Sequence, residues 1–443
     1  MEGTDRILVK SKRRRTALPM IRWPAFLLLW LLAALPGQRP HADWTHDFHA
    51  AGDPEERQAV IDALDTSALS FEQLYHALAN PPAKPRPDQT GVIRRHTLGA
   101  RKERFPYAIL LPDDYDAARA YPLVVFLHGS VSRKKPTHMM GRNSADPEMI
   151  IGEAIQVYPS GWTEAKWWTP VQAANLERII QHVKADFHID PDRVSLLGVS
   201  DGATGGFYQA ATHPTPYAAF ISVIGYPGVL QSSRVYLDEN VYPINLRALK
   251  ILAFNTEKDP LYPVENMRYF VDAFRELEID IELVADPYGG HDLNALKRAM
   301  PRIRTFVSET RRATHPDRLT WQYEAGSRQH RNAWLQVHEL LPHSERDTRL
   351  DALSGMKPSR GHTGMIELAR TDNTIAVQNL GVARYSLLLS PDQFDFSQPI
   401  RVIENGVEIF QATLRPSKRV LLRYAVRDFD ASRLYGAELE IAN

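Results

Sequence analysis

The segment Arg193-Val-Ser-Leu-Leu-Gly-Val-Ser-Asp-Gly202 constrains this chain more than any other. A buried-looking strand runs straight into Gly198-Val-Ser-Asp-Gly202 and continues as a helix-like pattern. A G-x-S-x-G corner works because only very small flanking residues tolerate a turn tight enough to lift the serine hydroxyl out of the sheet. Gly198 and Gly202 meet that demand, which places Ser200 where a nucleophile would stand. Five residues match easily by chance, so the surroundings decide.

From about residue 91 to 312, strand-like and helix-like patterns alternate. The strand candidates are Tyr107–Leu111, Leu123–Leu127, Ile150–Tyr158, Val194–Leu197, Ala218–Ile224, Leu249–Phe254 and Ile279–Ala285. Helical spacing falls between them at about 170–186, 203–212, 264–277 and 293–310. Continuous apolar strands separated by helices predict a mostly parallel sheet covered on both faces, with ligand sites beyond the C-terminal strand ends.

Two flanking regions differ from this pattern. Residues 54–80 carry apolar residues at helical spacing, with Ser70 as a cap, and the Pro-rich Asn80–Pro87 reads as a linker. After about residue 313 come short alternating runs, among them Leu319–Glu324, Asn373–Gln378, Tyr385–Leu389, Ile400–Ile403 and Val420–Tyr424. Asn405-Gly406 signals a hairpin between two of them, so this part reads as a smaller all-β, sandwich-like domain. The expected division is 1–42, 43–90, 91–312 and 313–443, which suits a chain of 443 residues better than one core would.

The first of these regions reads as an export signal. Lys12 to Arg15 precede the apolar run Pro24–Pro36, which is shorter than the roughly 20 residues of a membrane-spanning helix. Cleavage near Ala42 and a start at Met20 are both open, as is an uncleaved N-terminal anchor. Each places the bulk of the chain outside the cytoplasm, in the periplasm or beyond the cell. The absence of cysteine excludes disulfides, thiolate metal sites and a cysteine nucleophile. With 53 basic residues balancing 53 acidic ones and no basic stripe, nothing points to nucleic acid.

Three more features fall at strand ends. Pro122–Leu127 ends in His128-Gly129-Ser130, a loop placed to offer a backbone N–H to a developing oxyanion, with a second from Asp201. His128 itself reads as loop scaffold. Asp259 follows the strand Leu249–Phe254, and His291 follows Ile279–Ala285. The chain order serine, acid, histidine is that of a nucleophile elbow and its partners: His291 would take the proton of Ser200, and Asp259 would orient the imidazole. Asp286 is a rival acid, though better placed as a turn residue. Taken singly, Asp259 could cap a turn and His291 could be a solvated loop histidine.

Tyr107–Tyr115, Tyr121–Gly129, Asp190–Gly202 and Gly289-Gly-His-Asp292 resemble the extracellular esterases of the α/β-hydrolase superfamily, the feruloyl-esterase and polyhydroxybutyrate-depolymerase-like group, near prolyl-oligopeptidase-like proteins. The resemblance covers about 91–310 and implies ester hydrolysis by Ser200, Asp259 and His291 without a metal or other cofactor. The chain departs from the secreted feruloyl esterases in lacking cysteine and in its C-terminal β domain. Trp162, Trp167 and Trp168 sit after a strand end, where they would either stack on an aromatic or sugar group of a polysaccharide- or polyester-linked substrate or simply bury the loop. His41, His46 and His49 lack the spacing of a metal site. Two other readings stay open: a prolyl-oligopeptidase-like serine peptidase, and a catalytically silent surface protein whose β domain binds carbohydrate or a partner.

Overall fold

The computed structural model describes residues 7–10, 44–84, 91–136, 147–342, 350, 355–359 and 361–443. Apart from the strand β1 (Ile7–Lys10), the segment read as a signal or anchor lies outside the described residues, as does His41. Among the described residues no helix is long and apolar enough to cross a membrane.

The central sheet has eight strands: β2 (Val92–Leu98), β3 (Arg104–Leu110), β4 (Tyr121–Leu127), β5 (Ile155–Pro159), β6 (Ile189–Val199), β7 (Ala219–Val223), β8 (Lys250–Thr256) and β9 (Ile281–Asp286). Their order is β2-β3-β5-β4-β6-β7-β8-β9. β3 runs antiparallel to β2 and β5, and the rest of the sheet is parallel. Alternate residues of a strand enter opposite cores, as a doubly covered sheet requires. Leu123, Val125, Phe220 and Ile251 face one core, while Val124, Ile221 and Leu252 face the other. The helices α4 (Pro170–Asp186), α5 (Asp201–Thr212) and α6 (Val264–Glu276) cover the first face, and α7 (Leu293–Glu309) covers the second. β2 had given no strand signal, since its burial alternates between exposed arginines and two inward residues, Ile93 and Thr97. The strand expected from Ile150 begins only at Ile155, because Pro147–Met149 forms a 3-10 turn just before it.

The C-terminal part holds two five-stranded sheets. One is ordered β10 (Arg318–Glu324), β13 (Thr363–Thr371), β14 (Thr374–Leu380), β16 (Ile400–Glu404), β17 (Val407–Ala412). The other is ordered β1, β18 (Ala437–Ala442), β15 (Val382–Leu389), β12 (Leu335–Leu340), β11 (Arg331–Asn332). Trp321, Ile366 and Val402 from the first and Val337, Leu387 and Leu439 from the second share one core. Asn405 and Gly406 both have positive φ, 48° and 81°, the geometry of a type I′ hairpin between β16 and β17.

One expectation fails here. Val420–Tyr424, read as a strand, lies inside the helix α8 (Lys418–Asp428). Ser417 accepts from the Val420 amide and nucleates it, and Val420, Leu421, Tyr424 and Ala425 then fall on one buried face at helical spacing.

The N-terminal helices α1 (Trp44–Ala50), α2 (Pro54–Asp62) and α3 (Phe71–Ala79) wedge between α8 and α4. Arg57 of α2 is fully buried and spans the wedge: its guanidinium donates to the carbonyls of Val426 (2.9 Å) and Ala51 (3.0 Å) and to Gln181 Oε1 (2.8 Å).

Candidate active site

Ser200 sits at the corner between β6 and α5 with φ 56° and ψ −118°, outside the regions an L-residue prefers. The corner survives because nothing larger than hydrogen fits around it. A Cβ on Gly202 would lie 1.9 Å from Leu127 O, and one on Gly198 would lie 2.3 Å from Gly202 O. Gly129 meets the same corner from β4, where a Cβ would come within 3.0 Å of Ser200 Cβ. The elbow is therefore three backbones packed at near contact, and its strain is held by the parallel sheet on both sides.

Ser200 Oγ lies 2.8 Å from His291 Nε2, and His291 Nδ1 lies 2.8 Å from Asp259 Oδ2. Asp259 stands on the loop after β8, its side chain fully buried, and Oδ1 accepts from the amides of Leu261 (2.8 Å) and Tyr262 (2.9 Å). Those two bonds fix the carboxylate, which in turn fixes the ring. With Oδ2 an acceptor, Nδ1 carries the proton and Nε2 is left as the acceptor of the serine hydroxyl. The His291 loop is held by Thr256 Oγ1 donating to Gly290 O at 3.1 Å. Asp286 is engaged elsewhere: it takes Arg298 Nε at 2.6 Å and the Tyr288 amide at 3.1 Å, so it secures the turn that leads to His291.

The loop after β4 is tied to the elbow through the side chain of Asp201, whose Oδ2 accepts from the Val131 amide at 3.0 Å. Ser130 between them has φ 59°. The Asp201 amide opens α5, where no intrahelical acceptor exists for it and the helix field favours negative charge. His128 is scaffold: Nε2 accepts from the Gly161 amide (3.0 Å), which leaves Nδ1 to donate to Gly129 O (2.7 Å). Burial lowers its pKa, in keeping with a neutral ring that locks one tautomer.

The three tryptophans do not form an open stacking face. Trp167 is fully buried, donates Nε1–H to His128 O at 2.8 Å and packs so tightly on α5 that a Cβ at Gly205 would lie 2.0 Å from its own Cβ. Trp162 packs on Phe105 at 5.1 Å between ring centroids, and Trp168 is buried beneath Lys166. Trp167 thereby braces the loop after β4 from behind. The aromatic groups beside the relay are tyrosines that the sequence reading passed over. Tyr262 meets the His291 ring edge-on at 5.1 Å, and Tyr226 lies 5.8 Å from Tyr262. Burial, with the carboxylates of Asp201 and Asp259 behind it, pushes the Tyr262 phenol up to about 12, so it stays protonated. Leu261 and Tyr288 are largely exposed on the same loops. The available signal was position: Tyr226 and Tyr262 each follow a strand of the parallel sheet.

Among the described residues one group has metal-ligand composition, His338, Glu438 and Glu440, whose ligand atoms lie within 4.8 Å of one another. It is on β12 and β18 of the C-terminal part, and not on the elements that carry Ser200, Asp259 and His291. Glu438 already takes Arg423 and Ser386, and Glu440 takes Arg384 at 3.2 Å, so both carboxylates are compensated.

An eight-stranded sheet with one strand, β3, antiparallel to both its neighbours near the edge, a serine at the corner after β6 and acid and histidine after β8 and β9 define an α/β-hydrolase scaffold. The chain matches the family model Esterase, described as "Putative esterase", over residues 100–348, and so belongs to that esterase family. A search of curated proteins finds no match. Among solved structures it resembles a thermostable esterase (20% identity, 50% of this chain and 63% of that one, TM-score 0.41). It also resembles a ferulic acid esterase (17%, 49% and 97%, 0.39) and Thermogutta terrifontis esterase 2 phosphonylated by cyclosarin (16%, 50% and 96%, 0.42). The chain thus spans less than two thirds of the first of these structures.

Proposed function

We propose that the protein is an exported serine esterase that cleaves carboxylic esters through an acyl-enzyme on Ser200. The observation that carries this reading is the continuous relay from Ser200 Oγ through both nitrogens of His291 to a buried Asp259, at 2.8 Å for each step. His291 Nε2 takes the hydroxyl proton as Oγ attacks the ester carbonyl, and Asp259 stabilises the imidazolium that forms. The amides of Ser130 and Asp201 receive the negative charge on the carbonyl oxygen, and Gly129 lets that loop approach. The proton then passes to the departing alkoxide. Water enters by the same route in reverse and releases the acid. Tyr226 and Tyr262 form the aromatic wall for the substrate, the role first considered for the tryptophans. Export rests on the basic and apolar run at 12–36 alone.

The test is covalent labelling with a fluorophosphonate, alongside turnover of p-nitrophenyl and hydroxycinnamoyl esters. Ser200 should be the labelled residue, and Ser200→Ala should lose several orders of magnitude in kcat while keeping its fold. A folded protein that takes no label, or that cleaves proline-containing peptides and no ester, overturns the reading.

A further inference from the structure

A cavity of about 270 Å³ lies at the start of β6, the opposite end of that strand from the elbow, where it and the end of α4 meet α1, α3 and the residues after α8. Part of its wall is apolar, with Phe48, Leu78, Phe187 and Phe429. The rest is basic in an unusual way. Lys84 and Lys184 both line it, and among the described residues the hydrogen bonds of their ammonium groups run only to backbone carbonyls: Lys84 to His49 and Ala185, Lys184 to Phe429. His49 and His188, on the same wall, each bond a backbone carbonyl, of Ala77 and Ala117, and among the described residues His49 Nε2 and His188 Nδ1 are buried with no hydrogen-bond partner.

A buried ammonium whose hydrogen bonds end on neutral carbonyls is costly, and a buried unpartnered imidazole nitrogen costs a further desolvation penalty. The cost shows in Lys84 and His49, whose pKa values burial lowers to about 8 and about 4. Carboxylates do act on both lysines, Asp186 on Lys84 and Asp430 on Lys184, but each is shared with an arginine, Arg95 and Arg312 respectively. Asp190 pairs with Arg311 at 2.8 Å, and Asp192 and Asp430 share Arg312 at 2.9 Å and 2.6 Å. The wall therefore offers two ammonium groups to an anion, beside aromatic and aliphatic surface for an apolar group, in a space sized for one small molecule.

We propose that this cavity binds a small amphipathic carboxylate, a short acyl chain or a single aromatic ring bearing a carboxylate group, at a site separate from Ser200. Lys84 and Lys184 take the carboxylate, and the apolar part lies on Phe48, Phe187 and Phe429. The site spans the N-terminal helices, the central sheet and the C-terminal part, so its occupation ties the three together.

Calorimetry with sodium octanoate as the probe tests it. The wild-type chain should bind one octanoate, and inorganic phosphate, an anion without an apolar part, should bind about tenfold more weakly or worse. Lys84→Met should weaken octanoate about tenfold, the loss of one charge-assisted hydrogen bond. Because Lys84 also holds two carbonyls, Ala120→Trp is the second variant: Ala120 is exposed at the cavity and removes no cation. It should abolish octanoate binding and leave hydrolysis of p-nitrophenyl acetate unchanged. Wild-type protein that binds no octanoate, equal binding of phosphate, or Ala120→Trp that binds octanoate normally would each overturn the proposal, whatever the fate of the esterase reading.

Discussion

Arg312, six residues before β10, reaches across to the far end of the C-terminal part, where its Nη2 donates to Asp430 Oδ2 at 2.6 Å. Both side chains are almost wholly buried, 2% and 6% exposed. The same guanidinium also takes Asp192 at the start of β6 and the carbonyl of Thr215, while Arg433 binds the carbonyls of Thr215, Ala313 and Thr314. A boundary of this kind is not a flexible tether. The C-terminal sheets are fastened to the central sheet through fully desolvated charges, which puts them among the structural parts of the enzyme.

Removing Arg312 leaves two buried carboxylates without their cation, so Arg312→Met should cost about 3–5 kcal/mol of stability at neutral pH, read by chemical denaturation. The pH dependence gives the mechanism. Burial pushes the Asp430 carboxyl up, but Arg312, Lys184 and Arg433 together hold it well below the ordinary carboxylate range, and Asp192 is depressed as well. A depressed carboxyl contributes its stability above its unfolded pKa of about 4 and loses it as pH falls through the folded value. The gap between wild type and Arg312→Met should therefore be constant from pH 7 to about 5 and narrow steadily below about 4. A gap that does not depend on pH would mean that Arg312 acts through packing alone.

The backbone at Ser200 predicts a trade of stability for activity. Its φ of 56° and ψ of −118° cost an L-residue about 1–3 kcal/mol, a cost that glycine largely escapes. Ser200→Gly should be inactive yet melt higher than Ser200→Ala, which keeps the strain. Equal melting temperatures for the two would show that the corner is unstrained.

Asp259 uses its two oxygens for two jobs. Oδ1 holds the loop amides and Oδ2 holds His291. In Asp259→Asn the carbonyl oxygen remains on the amides, and the new NH2 group faces Nδ1. That forces the proton to Nε2, so the ring can no longer accept from Ser200. Turnover should fall by about 10⁴, with little change in stability, by the tautomer argument that applies to serine triads in general. A loss below about tenfold would remove Asp259 from the relay.

The elbow was legible in the sequence because its requirements are local: two glycines flanking a serine, after a run of apolar residues. Asp259 and His291 were legible as strand-end residues, since the alternation of strand and helix gives each loop its side of the sheet. The helix α8 was not, because Val-Leu-Leu favours a strand locally and only Ser417 and the packing against α2 and α3 decide otherwise. The Arg312 cluster was invisible for a simpler reason: its partners lie 118 and 120 positions away along the chain. The two readings of the tryptophans could not be separated because a loop position tells which end of the sheet a residue occupies, but not whether its ring points outward or into the core.

That last distinction sets two opposite outcomes for aromatic substitutions near the site. Trp167 fills space against α5 and holds His128 O, so Trp167→Ala should cost about 3–5 kcal/mol of stability through the cavity it leaves. Its effect on activity should then follow the fraction folded. Tyr226 is half-buried, its ring on Tyr262 and Phe270, and no hydrogen bond of the elbow passes through its side chain. Tyr226→Ala should leave the melting temperature nearly unchanged, raise KM for aromatic esters by about tenfold and leave kcat within a factor of about two, the signature of lost uniform binding. The same variant should scarcely alter hydrolysis of an acetyl ester, which has too little surface to reach the ring. If Trp167→Ala instead raised KM in a fully folded protein and Tyr226→Ala did nothing, the aromatic wall would lie on the tryptophan side of Ser200 after all.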